Sequence, residues 1–129
     1  MTRTNDLKPT AGELEILRVL WERGPATVRE VHGELSRAKD VGYTTVLKLM
    51  QIMTAKGFVR RNQEQRAHVY EACQPAEKTK RALAGDVLQR VFEGSASQLM
   101  MHALEGQRTS REELERLRRL LDDYERGLR

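Results

Sequence analysis

Cysteine occurs once in the 129 residues, as Cys73. A lone thiol excludes an internal disulfide and a cysteine-cluster metal site, and it makes no demand for an oxidising compartment. Its place between a strand-like and a helix-like segment suits a small buried filler better than a redox sensor. Aromatic residues are 5% of the chain against 33% charged, which disfavours a sheet core packed with rings and favours helices with wet faces. Long hydrophobic runs are missing as well. Nothing approaches the ~18 consecutive apolar residues of a membrane span, and Met1 to Lys8 has no apolar segment of a secretory signal. The expectation is a cytoplasmic chain with no membrane insertion.

Catalytic signatures are equally sparse. There is no glycine-rich phosphate loop, nucleophile elbow or zinc-protease helix. His32, His68 and His102 lie far apart in sequence, the pattern of surface or packing residues rather than a zinc site. The expectation is no enzyme, no metal and no cofactor. An enzymatic alternative built on His68 and Cys73 has residue types behind it and no motif.

What is present is a localised excess of positive charge. The net charge is +4, and residues 37 to 66 hold Arg37, Lys39, Lys48, Lys56, Arg60, Arg61 and Arg66 against only Asp40 and Glu64. The rest of the chain is about neutral. A solvated face accounts for most charge runs, but concentration of the whole excess in one window favours a polyanion partner.

The same window sits among strong local signals. Thr10 and Glu13 have capping-box spacing, and Leu14, Leu17, Leu20 and Trp21 follow on one face, so a first helix is expected over Ala11 to Arg23. Gly24-Pro25 ends it. Thr27 and Glu30 repeat the capping box, with Val28, Val31 and Leu35 at helical intervals behind them. After a polar stretch from Ser36 to Gly42, a third helix starts at Tyr43. Its wheel puts Tyr43, Val46, Met50, Met53 and Gly57 on one side and Thr44, Lys48, Gln51 and Ala55 on the other. Met50 and Met53 at this spacing read as gap-filling core rather than as a metal stripe. Phe58 to Asn62 and Ala67 to Ala72 then read as two strands around the tip Gln63-Glu64-Gln65.

Three helices followed by a basic hairpin is the order of a winged helix-turn-helix. In that fold the N-terminal residues of the third helix enter the major groove, and flanking elements hold phosphates. Thr44 and Thr45 offer short hydroxyls and methyls to base edges, and Lys48 reaches guanine acceptors or a phosphate. Arg60, Arg61 and Arg66 in the hairpin suit phosphate oxygens, though strand-edge charges also serve to discourage edge pairing. His68 lies in the wing within reach of DNA. A winged-helix module that binds protein instead of DNA is the alternative from another class.

Beyond residue 75 the pattern changes. Pro75 suits the first position of a fourth helix, whose stripe is Leu83, Val87 and Val91 with Leu88 and Phe92, ending near Gly94. An apolar segment, Ser95 to Leu104, runs to Gly106. Ser110 and Glu113 form a third capping-box pair, opening a helix in which Leu114, Leu117, Leu121, Tyr124 and Leu128 alternate by three and four. These stripes have little volume to bury them within one chain, so pairing with a second copy is the economical reading and a compact monomeric bundle the alternative. The expected class is mainly α: a winged helix-turn-helix DNA-binding domain over 1–74 and a helical dimerisation domain over 75–129, with double-stranded operator DNA and a second copy of the chain as partners.

The runs Gly24-Pro25-Ala26-Thr27-Val28-Arg29-Glu30-Val31, Gly42-Tyr43-Thr44-Thr45-Val46, Lys56-Gly57-Phe58-Val59 and Arg66-Ala67-His68-Val69-Tyr70 resemble the penicillinase repressor (BlaI/MecI/CopY) family over nearly the whole chain. The resemblance implies a homodimeric winged-helix repressor of antibiotic-resistance or related genes, with the third helix in the major groove and the C-terminal helices dimerising. It also implies relief by a membrane sensor protease that acts indirectly. The best-known members are cut at an Asn-Phe pair, and His102-Ala103 stands at the corresponding place here. The cysteine cluster of copper-responsive relatives is missing.

Overall fold

The computed structural model describes residues 8–62 and 68–128. The chain divides into two compact units, one reaching to Leu83 and one starting at Ala84. In chain order the elements are α1 (Ala11–Arg23), α2 (Val28–Ser36), α3 (Tyr43–Lys56), β1 (Val59–Asn62), β2 (Val69–Ala72), α4 (Ala76–Phe92), α5 (Ala96–Gly106) and α6 (Arg111–Gly127).

Each of the first two helices starts with a complete capping box. Thr10 Oγ1 accepts from Glu13 N while Thr10 N donates to Glu13 Oε1, and Thr27 and Glu30 do the same for α2. Two of the four orphan amides at each N-terminus are thereby satisfied by neighbouring side chains. Gly24, at φ 95°, turns the chain out of α1, and Gly57 closes α3 in the left-handed conformation at φ 86°, where a Cβ would be strained. The third pair is half a box: Glu113 N donates to Ser110 Oγ, but the Glu113 carboxylate binds Arg116 instead of the cap. A neighbouring guanidinium at i+3 outcompetes a neutral amide for the charge.

β1 and β2 form an antiparallel hairpin with Arg60 opposite Glu71 and Arg61 opposite Tyr70. The hairpin is anchored to the α1–α2 connection, because Ala26 and Tyr70 exchange both backbone hydrogen bonds, at 3.0 and 2.8 Å. That third extended piece has no signal in the sequence, as one residue beside a proline carries no strand pattern. The tip of the hairpin, with Arg66 and Ala67, lies outside the described residues.

The first unit has its own core: Ile16, Leu17, Leu20, Ala26, Val28, Val31, Val46, Met50, Met53, Val59 and Tyr70. Burial of a side chain of this size contributes about 1.5–3 kcal/mol. Ile16 takes the central place in α1, whereas Leu14 and Trp21 are half-buried at the edge. Tyr43, which the helical wheel puts on the core side, is instead 44% exposed. At the first position of α3 it stands beyond the end of the packed stripe. Cys73 is half-buried rather than a buried filler, its amide bonded to Phe58 O. Pro75 precedes α4 rather than opening it.

The helices after the wing bury none of their side chains, in contrast to α1 to α3. Glu93 and Gly94, both at positive φ, make the α4–α5 turn, and Ser95 caps α5 through Gln98 N. Phe92 and His102 meet across that turn, ring centres 5.7 Å apart.

Candidate nucleic-acid interface

The outer face of α3 stands on a rigid base. Val46, Met50 and Met53 are completely buried, which fixes the helix rotation. Thr44, Thr45 and Lys48 are exposed on the other side. Thr44 and Lys48, four apart, and Thr45 and Lys48, three apart, are neighbours on the helix surface. Two short hydroxyl side chains and one long cation thus share the first turns on the exposed face of this helix, groups of the kinds that can hydrogen-bond base edges.

The structure redistributes the basic window. Lys56 Nζ lies 2.9 Å from Glu13 Oε2, Lys39 pairs with Glu15, Arg37 with Glu34, and Arg60 with Glu71 at 2.6 Å. Those cations are partly neutralised at home. Among the described residues, Lys48 and Arg61 are the members of the window without a carboxylate partner, so the free positive charge concentrates at α3 and the wing. Arg60 and Arg61 point to opposite faces of β1, because successive side chains alternate. Arg60 shares the outer face with Glu71, whose hydrogen bond and charge hold its guanidinium still more firmly protonated. Arg61 lies on the side of Tyr70 yet stays exposed. His68 is exposed just before β2, and Arg66 falls outside the described residues.

The stripes assigned to pairing lie on α4 and α6. Leu83, Leu114 and Leu117 are half-buried. Val87, Val91, Leu121 and Tyr124 are exposed, the last three by 65, 66 and 71%, together with Leu120 and Leu128. No group of three metal-binding side chains converges among the described residues, and no described helix is long and apolar enough to cross a membrane.

Known proteins resemble this chain over most of its length. The family described as "Penicillinase repressor" matches residues 9–123. This chain belongs to that family. It is 33% identical to the transcriptional regulator BlaI of Mycobacterium tuberculosis, covering 98% of this chain and 88% of the relative. It is 22% identical to the methicillin resistance regulatory protein MecI of Staphylococcus aureus, covering 88% and 92%, and 24% identical to the penicillinase repressor of Bacillus licheniformis, covering 87% and 88%. A MarR family protein from Bacillus stearothermophilus has the same winged-helix fold, with TM-score 0.52, 20% identity and coverage of 96% of this chain and 78% of that one. The penicillinase repressor family is one of regulators rather than catalysts.

Within this family member, sequence reasoning passed over three residues that shape the site. Glu13 reads as a helix cap, yet it is also a buried anion that ties α1 to Lys56. Glu71 reads as a strand residue, yet it sets how much of Arg60 is free; the alternation of β1 against β2 was the available signal. His32 reads as a scattered histidine, yet its ring packs edge-on against Tyr43, centres 5.8 Å apart.

Proposed function

We propose that this chain is a homodimeric, sequence-specific DNA-binding repressor that holds an inverted-repeat operator in the cytoplasm and controls β-lactam resistance or related stress genes. One observation carries the reading: the exposed Thr44, Thr45 and Lys48 on α3, above a fully buried stripe, with Lys48 left free while neighbouring cations are paired internally.

In this reading α3 enters the major groove, with Thr44 and Thr45 against base edges and Lys48 on a guanine or a phosphate. Arg60, Arg61, Arg66 and His68 bring the wing to the backbone. Pairing through Leu83, Val87 and Val91 of α4 and Leu114, Leu117, Leu121 and Tyr124 of α6 covers apolar surface that one chain leaves in water. A two-fold protein then presents two α3 helices to half-sites about one helical turn, roughly 34 Å, or a multiple apart. Signal from a membrane sensor protease reaches the repressor indirectly and releases it from the operator.

The test is a titration of the protein against a duplex of its own promoter and an unrelated duplex, repeated across salt concentrations. Tighter binding to the promoter, falling steeply with salt as phosphate contacts release counterions, supports the reading. Binding that ignores salt and sequence overturns it in favour of a protein-interaction module.

A further inference from the structure

Of the three helices before the wing, α3 is the one that begins without help from the side chain of its own cap. α1 and α2 open with complete capping boxes, whereas α3 follows Gly42, which offers no side chain to its first amides. Something else must hold the entry of α3, since Thr44 and Thr45 lie in its first turn and an error there displaces the whole reading face. His32, on α2, occupies that place. Its Nε2 lies 2.8 Å from Val41 O, across the α2–α3 connection, and its ring meets Tyr43 edge-on at 79°. Val41 O has no proton to give, so Nε2 carries the hydrogen and donates it; Ser36 Oγ, 3.1 Å from the same nitrogen, is a second acceptor.

We infer that His32 is a positioning residue for operator recognition: it clamps the chain at Val41 and Tyr43 and so fixes where α3 presents Thr44 and Thr45. The inference rests on the reading of α3 as the DNA-facing helix. The clamp joins two residues that flank Gly42, one by a hydrogen bond and one by a ring contact, so it restrains both the position and the tilt of the first turn. Positioning of this kind affects sequence readout, which depends on sub-ångström placement of side chains against base edges. It leaves untouched the attraction between free cations and phosphates.

The test compares His32→Gln with His32→Asn in the full chain. A glutamine amide reaches as far as Nε2 and restores the donor to Val41 O, while an asparagine amide ends near the place of Nδ1 and does not. Expected for His32→Asn is a loss of about tenfold in affinity for the promoter duplex, the effect of one hydrogen bond. Affinity for an unrelated duplex and the salt slope stay unchanged, and amide exchange quickens at Tyr43 to Val46. His32→Gln should recover most of the promoter affinity. In the wild-type chain, nitrogen-15 spectra should show the neutral ring protonated at Nε2. Promoter affinity of His32→Asn equal to wild type, a neutral ring protonated at Nδ1, or a global loss of the fold in His32→Asn would each overturn the proposal while the DNA reading stands. A wild-type chain with no preference for its promoter overturns the DNA reading itself, and the positioning role with it.

Discussion

Lys56 Nζ and Glu13 Oε2 lie 2.9 Å apart, and the contact ties the last turn of α3 to the first turn of α1. Glu13 is almost completely buried, at 1% exposure. Burial pushes its carboxyl up, but the Thr10 amide, the hydrogen bond and charge of Lys56, and the Thr10 hydroxyl outweigh that and hold it below the ordinary value of 4.5. A cation that the sequence counts within the basic window thus serves the fold.

Glu13→Gln keeps an acceptor for the Thr10 amide and removes the charge. The expected loss is about 1–2 kcal/mol, seen as a fall in melting temperature of roughly 3–8 °C. Because the folded value is depressed, the unfolded chain binds more protons in the interval between that value and 4.5. The stabilisation is complete above 4.5 and disappears as pH falls through the depressed value. Melting curves from neutral to acid should therefore converge for wild type and variant; a constant gap down to the lowest pH contradicts the linkage.

Glu71→Gln should release Arg60 from its partner across the hairpin. If the wing meets phosphate, the slope of log affinity against log salt steepens by about 0.9 for each added phosphate contact, and binding at low salt tightens several-fold. Identical slopes in wild type and variant would show that Arg60 faces away from DNA.

The double substitution Thr44→Ala, Lys48→Ala removes two exposed side chains. Folding stability should change by no more than about 0.5 kcal/mol per site. Operator discrimination should fall by about 1–3 kcal/mol for each lost base contact, whereas pure phosphate contacts would lower affinity for all duplexes alike. Wild-type operator affinity in the double variant places the DNA face elsewhere.

Leu121→Asp puts a charge on the most regular apolar stripe of α6, where Leu121 is 66% exposed in the single chain. Sedimentation should show monomers at concentrations where wild type is dimeric, with operator affinity lowered because each half-site is then held alone. A dimer of undiminished stability excludes α6 from the interface.

Induction offers a fifth test. His102-Ala103 sits inside α5 rather than in an exposed loop, and a helical bond must unwind before a protease can hold it. The expectation is full-length repressor in cells exposed to a β-lactam, measured by intact mass. Fragments ending between Leu99 and Leu104 would instead establish proteolytic release.

The local architecture was legible without coordinates because its causes are local. Capping pairs three residues apart, glycine after the last turn, and apolar residues at intervals of three and four act within one or two helical turns, so α1 to α3 and the hairpin follow from short windows of sequence. The exposed position of Thr44, Thr45 and Lys48 follows in the same way from the Val46, Met50 and Met53 stripe. What the tertiary structure decided is which charges find each other. Glu13 meets Lys56 across 43 positions and Lys39 meets Glu15 across 24, and no periodicity encodes such a pairing. The same holds for Ala26 against Tyr70, for the clamp of His32 on Val41, and for Tyr43 falling outside the core. Each depends on where whole elements pack, and electrostatic and hydrogen-bond energies are settled by distances of a few ångströms that sequence spacing does not specify.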